Sequence, residues 1–249
     1  MGVAALVTGS GEPVTVAAHG FGASVAETRP LLGGVAGRRV FYPARGHDGA
    51  VPAPFGYREL GDDLLRVADE YGASRALGVS MGAGALLSLL SRAPERFDRV
   101  VAFLPAALDR TRTDEAVRRL DELVTALDQE DAAEVQRLVL AEVPSALHGE
   151  PAVAAYVGSR AAFLLGAPGV AVAVRALAGP APVEDRASLE AVSAEVLVLA
   201  QEDDPLHPVQ VARELVAVLP RARLVVFDRP GVMFRERARL RALIGEFLS

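Results

Sequence analysis

The sequence predicts an α/β fold, a mostly parallel central sheet flanked by helices, with an all-helical insertion in the chain. Three observations predict it. Through residue 105, short apolar runs alternate with amphipathic segments over short links, the pattern of strands joined by crossover helices. From 106 to 192 no convincing strand remains and helical spacing takes over. Strand chemistry then returns at Glu195 and alternates with helix to the end. The expected division is an α/β core at 1–105 and 193–249, with a helical cap, or lid, at 106–192.

The elements follow in order. Val14–Ala18 (VTVAA) is a buried strand that runs into the tight loop His19-Gly20-Phe21-Gly22. Val40–Tyr42 is a second strand, after the basic pair Arg38-Arg39 and before Pro43. Tyr57–Tyr71 carries Leu60, Leu64, Leu65 and Ala68 at helical spacing, and Gly72 stops it. Arg75–Val79 is a strand, Met81 to about Arg92 a helix ended by Pro94, and Arg99–Leu104 another strand. In the insertion, Thr113–Leu127 places Ala116, Leu120, Leu123 and Leu127 on one face. Asp131–Val143, Ala152–Leu165 and Val170–Leu177 also read as helices, punctuated by Pro144, Pro151, Pro168, Pro180 and Pro182. Glu195–Ala200 is a strand, Pro208–Leu219 a helix, Arg223–Phe227 the last strand and Met233–Leu248 one final helix.

Composition narrows the function. The chain has 249 residues and no Cys, which removes disulfides, thiolate catalysis and Cys-based metal sites. It also has no Lys, Trp or Asn, so all 26 basic residues are Arg, as a high-GC coding bias would give. A net charge of −6 without a dense basic run argues against nucleic acid as a partner. Apolar stretches fall short of the roughly 18 residues of a membrane span. MGVAALV has no basic leader, and Leu6 stands where a myristoylation signal needs Ser or Thr. A cytoplasmic protein acting on a small molecule is the expectation. With no P-loop, no G-x-G-x-x-G after a strand and no H-E-x-x-H, neither a nucleotide nor a metal cofactor is expected.

The strongest motif is Gly78-Val79-Ser80-Met81-Gly82. It is G-x-S-x-G between a predicted strand and a predicted helix, the context of a nucleophile elbow. The turn strains the serine backbone and lifts its hydroxyl above the sheet. The flanking glycines remove Cβ atoms that would clash. The Met81 N–H, at a helix N-terminus, points to the same spot and favours an anion there.

With HGFG (His19–Gly22), RGHDG (Arg45–Gly49), GVSMG (Gly78–Gly82) and DDPLHP (Asp203–Pro208), the chain resembles the α/β-hydrolase superfamily over nearly its whole length. The helical insertion sits where that superfamily places its cap. Members are mostly esterases, lipases, thioesterases, peptidases, dehalogenases and C–C bond hydrolases. The resemblance implies a second oxyanion-hole donor at the Phe21 N–H. It implies an acid on the loop after the post-cap strand: aligning Gln201 with the usual Gly gives Asp204, and Asp203 is the one-residue alternative.

It also implies a Gly-His pair after the last strand. Here the pair is Gly231-Val232, and no histidine follows His207. Valine cannot accept a proton, so the usual triad cannot be written. His207, on the acid's own loop, is the first replacement candidate, though it could equally cap the helix opening at Pro208. His19 and His47 read as loop braces, and His148 lies in the cap. Arg235, Glu236 and Arg237 read as a solvated, charge-mixed face.

Three readings stay open. The first, which is preferred, is a serine hydrolase of a small apolar ester, thioester or related acyl substrate, with Ser80, Asp204 and His207 or a water as base. The second is a lyase, cyclase or isomerase that uses the pocket and oxyanion hole alone. The third is a catalytically silent protein that binds a small molecule in an old pocket.

Overall fold

The computed structural model describes residues 5–47, 54–167 and 169–249. Asp48 and Gly49 of the RGHDG motif, the Met1-Gly2 start and Pro168 lie outside them.

Seven strands form one sheet in the order β1-β3-β2-β4-β5-β6-β7. They are β1 (Leu6–Thr8), β2 (Val14–Ala18), β3 (Arg38–Phe41), β4 (Arg75–Val79), β5 (Arg99–Phe103), β6 (Glu195–Gln201) and β7 (Ala222–Phe227). β1 runs antiparallel to β3, and every other pair is parallel. A central parallel strand is covered on both faces, and all of β2 is buried accordingly. β1 is an edge strand of three residues, with Leu6 and Val7 exposed. Such a piece is too short for an alternation to be read in the sequence.

β3 starts two residues earlier than the sequence predicts, at Arg38. The basic pair belongs to the strand because Arg38 and Arg39 pair with Val14 and Thr15 of β2, and Arg39 also with Thr8 of β1. Backbone pairing carries the strand through side chains that remain half-exposed. It stops at Phe41, so Tyr42 falls in the following loop.

The helices are α1 (Val25–Thr28), α2 (Tyr57–Tyr71), α3 (Met81–Leu90), α4 (Glu115–Asp128), α5 (Ala132–Ala141), α6 (Pro151–Gly166), α7 (Val170–Leu177), α8 (Val209–Val218), α9 (Val232–Arg235) and α10 (Arg237–Leu248). α2 closes as its sequence dictates. Gly72 takes a left-handed φ of 67°, and the Ala73 N–H reaches back to Ala68 O at 2.8 Å, the two marks of a glycine-terminated helix end. α3 is buried on every side, so it carries apolar residues all round rather than a stripe.

Two buried cores flank the sheet. On one face β2, β4 and β5 pack with Leu64, Leu86, Leu90 and Leu215 from α2, α3 and α8. On the other they pack with Leu31, Leu32, Leu240, Ile244 and Leu248. Helices α4 to α7 all lie between β5 and β6 in the chain, and they bury a core of their own around Val135, Val139, Val153, Leu164 and Val174.

The single final helix that the sequence predicts is two helices. The chain turns at Glu236 (φ −125°, ψ 29°). Phe234 packs edge-on against Tyr156 of the insertion, whereas Leu240 and Ile244 pack under the sheet. At about 100° per residue, Phe234 and Leu240 would stand on different faces of one straight helix. The break lets each reach its own core.

Candidate active site

The C-terminal ends of the parallel strands come together at one edge of the sheet. Register pairs Ala18 with Gly78, Val79 with Phe103, and Gln201 with Phe227. From β2 the chain leaves to β3 on one side, and β4 lies on the other. The crevice at such a switch point is where open α/β sheets bind ligands. A cavity of about 860 Å³ opens there, lined by Ser80 and His207 from the core and by residues of α4, α5, α6 and α7 from the insertion.

Ser80 sits between β4 and α3 with φ 50° and ψ −108°. A non-glycine residue in that region costs on the order of 1–3 kcal/mol, and the surroundings hold it there. Its N–H donates to Phe103 O at 2.9 Å. The glycines on both sides are a packing necessity. A Cβ on Gly78 would stand 2.5 Å from Gly82 O, and one on Gly82 would run into Ala18 O.

His207 lies between Ser80 and Asp204. Its Nε2 is 2.8 Å from Ser80 Oγ, and its Nδ1 is 3.1 Å from each Asp204 oxygen. An ionised carboxylate only accepts, so Nδ1 carries the proton and Nε2 accepts from the serine hydroxyl. Asp204 is well supplied with donors. Leu206 N–H and His207 N–H reach Oδ1 at 2.9 and 3.0 Å, and Gln201 Nε2 reaches Oδ2 at 2.6 Å. Burial raises the Asp204 carboxyl, but the imidazole, the Gln201 amide and the Leu206 N–H together outweigh it and hold it at about 2. Asp203 is exposed, takes the left-handed turn (φ 55°) and makes none of these contacts. Of the two carboxylates, Asp204 is the one that meets the imidazole.

Gln201 is the site residue that sequence reasoning misses. It ends β6, is buried, and joins three segments: besides Asp204, its Oε1 accepts the N–H groups of Gly231 and Val232 at 2.9 and 3.0 Å. The one signal in the sequence is an amide-bearing residue closing the apolar run VLVLA of the strand EVLVLAQ. Val232 is buried in the core under the sheet. Its backbone is tied to the acid loop through Gln201, and its side chain offers no proton acceptor.

The loop after β2 is braced from behind. Ala44 N–H donates to His19 Nε2 at 2.8 Å, which leaves the proton on Nδ1, 2.8 Å from Gly20 O. Ala23 N–H also donates to Gly20 O, at 3.2 Å. A trans peptide points its N–H opposite to its carbonyl, so the Phe21 N–H faces away from His19. Phe21 and Met81 both line the cavity beside Ser80. Among the described residues, neither N–H has a hydrogen-bond acceptor in the protein. The next peptide is braced by His47, whose Nε2 accepts the Gly22 N–H at 3.0 Å. Arg45, two residues before it, is clamped to Asp63 of α2 by contacts of 2.5 and 2.7 Å. His148 lines the cavity and donates from Nε2 to Val143 O at 2.8 Å.

His19 gives a stability prediction. Burial, then the neighbouring His47 and Arg160, push its pKa from 6.5 to about 3 against the pull of Gly20 O. The unfolded chain takes up this proton near 6.5 and the folded chain only near 3. The stabilisation is therefore whole above about pH 6.5 and is lost as pH falls toward 3, by up to about 1.4 kcal/mol per unit. Urea unfolding between pH 7 and 4.5 is expected to show a slope about one proton shallower in His19→Gln than in the parent. Equal slopes would refute the buried neutral imidazole.

Among the described residues, no group of three or more His, Asp or Glu is placed to hold a metal ion. No single helix among them is long and apolar enough to cross a membrane.

No protein-family model matches the sequence, and no curated protein matches it. Solved structures do match. An esterase from Exiguobacterium antarcticum superposes with a TM-score of 0.79 at 19% identity, over 99% of this chain and 95% of the other. A putative non-heme bromoperoxidase from Mycobacterium tuberculosis H37Rv gives 0.79 at 22%, over 99% and 95%. A 2-hydroxy-6-oxo-6-phenylhexa-2,4-dienoate hydrolase from Rhodococcus sp. strain RHA1 gives 0.76 at 23%, over 98% and 94%. With its seven-stranded, mostly parallel sheet and the match along its whole length, the chain has the α/β-hydrolase fold.

Proposed function

We propose that the chain is a serine hydrolase of a small, apolar ester, thioester or related acyl substrate, working through a triad whose base has moved to His207. One observation carries this reading: the His207 imidazole bridges Ser80 Oγ and the Asp204 carboxylate at 2.8 and 3.1 Å. In the proposed reaction Ser80 Oγ attacks the acyl carbon and its proton passes to His207 Nε2. The carbonyl oxygen becomes an oxyanion held by the Phe21 and Met81 N–H groups. One such donor can be worth about 2.7–4 kcal/mol in the transition state. Collapse expels the alcohol or thiol, which takes the proton from His207. Water, deprotonated by the same imidazole, then frees the acid and restores Ser80.

Asp204 stays ionised throughout and orients the imidazolium. The insertion at 106–192 is the cap in this reading. Its helices line the cavity with side chains such as Leu120, Val174 and Leu177, which supports an apolar acyl group. The protein would act in the cytoplasm, on a small molecule and without a cofactor.

A fluorophosphonate probe and p-nitrophenyl acetate turnover test the reading, each against Ser80→Ala. The parent is expected to label and turn over, and the variant to do neither. Identical behaviour of the two would end the hydrolase reading. The bridged imidazole also weighs against a silent binding protein, because such a protein has no use for a base held on its serine.

A further inference from the structure

Resting on the hydrolase reading for its catalytic readout, we propose that Arg160, in α6 of the insertion, is a positioning residue that locks the loop carrying the Phe21 N–H donor. The Phe21–Gly22 peptide is held at both ends. Arg160 Nη2 donates to Phe21 O at 3.0 Å, and His47 Nε2 accepts Gly22 N–H at 3.0 Å. One clamp comes from the insertion and the other from the core. Fixing this peptide plane fixes the rotation of Phe21 on one side, and the Gly20 carbonyl, held by His19 and Ala23, fixes it on the other.

Gly22 is left-handed (φ 61°), and a Cβ there would stand 2.7 Å from Leu164 Cδ2 of the same helix α6. The loop backbone at Gly22 thus packs directly under side chains of α6. Arg160 is itself held. It is buried, with Nη2 3.4 Å from Glu142 at the end of α5 and Nη1 3.9 Å from Glu27 in α1, just after the loop. A planar guanidinium can serve a carbonyl and two carboxylates at once, which a lysine ammonium does not match. The anion hole of this chain is therefore complete only while the insertion is seated, and Arg160 is the contact that reports its seating.

Arg160→Lys keeps the positive charge beside Glu142 and Glu27 but lacks the fork. The double variant Arg160→Met with Glu142→Gln removes the donor and one of the carboxylates it would leave unpaired. In either folded variant kcat for p-nitrophenyl acetate is expected to fall about 10- to 100-fold while KM stays within about threefold, because an oxyanion donor is misplaced while the groups that bind substrate stay where they are. Hydrogen exchange at the Gly22 amide is expected to speed up about tenfold or more. Parental kcat and parental Gly22 exchange in a folded variant would overturn the proposal. So would a rise in KM with kcat unchanged, which would mean that Arg160 binds substrate directly. If the parent shows no Ser80-dependent turnover, the hydrolase reading fails separately. Gly22 exchange then decides the clamp alone, and unchanged protection overturns it.

Discussion

His207→Ala is expected to lower kcat/KM for p-nitrophenyl acetate by about 10²–10⁴-fold, the usual worth of a positioned general base. The fold should be retained. His207 lies on a loop and is partly exposed, and its ring contacts are the Ser80 hydroxyl and the Asp204 carboxylate. Among the described residues no other histidine is hydrogen-bonded to Ser80. His19 and His47 have their acceptor nitrogens occupied by Ala44 N–H and Gly22 N–H, and His148 is turned to Val143 O. Circular dichroism and turnover on the same sample check both halves. Parental turnover in a folded His207→Ala would mean that another group or water deprotonates Ser80.

Asp204→Asn should be as damaging, for a different reason. The comparable change in a well-studied serine protease costs about 10⁴ in kcat by stabilising the wrong imidazole tautomer. The same logic applies here. Asp204 receives four donors: Gln201 Nε2, Leu206 N–H, His207 N–H and the His207 ring. An asparagine brings an NH₂ group into a shell that has only donors. At the Oδ2 position NH₂ meets the Gln201 amide donor, and at the Oδ1 position it meets the Leu206 and His207 N–H groups. Nδ1 lies 3.1 Å from both positions, so NH₂ at either one favours the proton on Nε2, which can then no longer accept from Ser80. The carboxylate also contributes to stability. Its folded pKa of about 2 lies below the usual carboxylate range, so this stabilisation is present above about pH 4 and is lost only as pH falls toward 2. At pH 7, Asp204→Asn should therefore lose activity and the whole of this stabilisation, whereas His207→Ala should lose activity and only the part that the imidazole contributes, since Gln201 and the Leu206 N–H still serve the carboxylate. Thermal melts beside kinetics distinguish the two patterns. Unchanged kcat in Asp204→Asn would remove the carboxylate from the triad.

The core elements are legible in the sequence because their signals are local. GVSMG sits between an apolar run and a helix in the sequence as in the structure, and the strained φ of Ser80 with crowded Gly78 and Gly82 is the physical content of that motif. Tyr57–Tyr71, Arg75–Val79 and Val170–Leu177 have the bounds that their spacing gives. The features that escape a sequence reading depend on contacts between distant segments. A three-residue edge strand is made by its pairing with β3, and the break at Glu236 by two cores that lie in different directions.

At the candidate site the limit is sharper. Three residues after Asp204, a histidine can cap a helix or turn back onto the carboxylate, and the spacing is the same for both. The fold of the loop separates them. Asp204 Oδ1 gathers the Leu206 and His207 N–H groups into a tight turn, and that turn brings the ring round onto the carboxylate and within reach of Ser80. By alignment alone, Gln201 is a substitute for glycine. Its amide instead donates to Asp204 Oδ2 and, through Oε1, ties the Gly231-Val232 segment down. Val232 and Gln201 thus belong to one arrangement, in which the carboxylate is approached from its own loop.

In the proposed reaction His207 deprotonates Ser80. The most direct test is the second-order rate of fluorophosphonate labelling of Ser80 across pH 5–9, in the parent and in His207→Ala. The His207→Ala rate is expected to lie about 100-fold or more below the parental rate across that range. Labelling of His207→Ala at the parental rate, with the same dependence on pH, would contradict it.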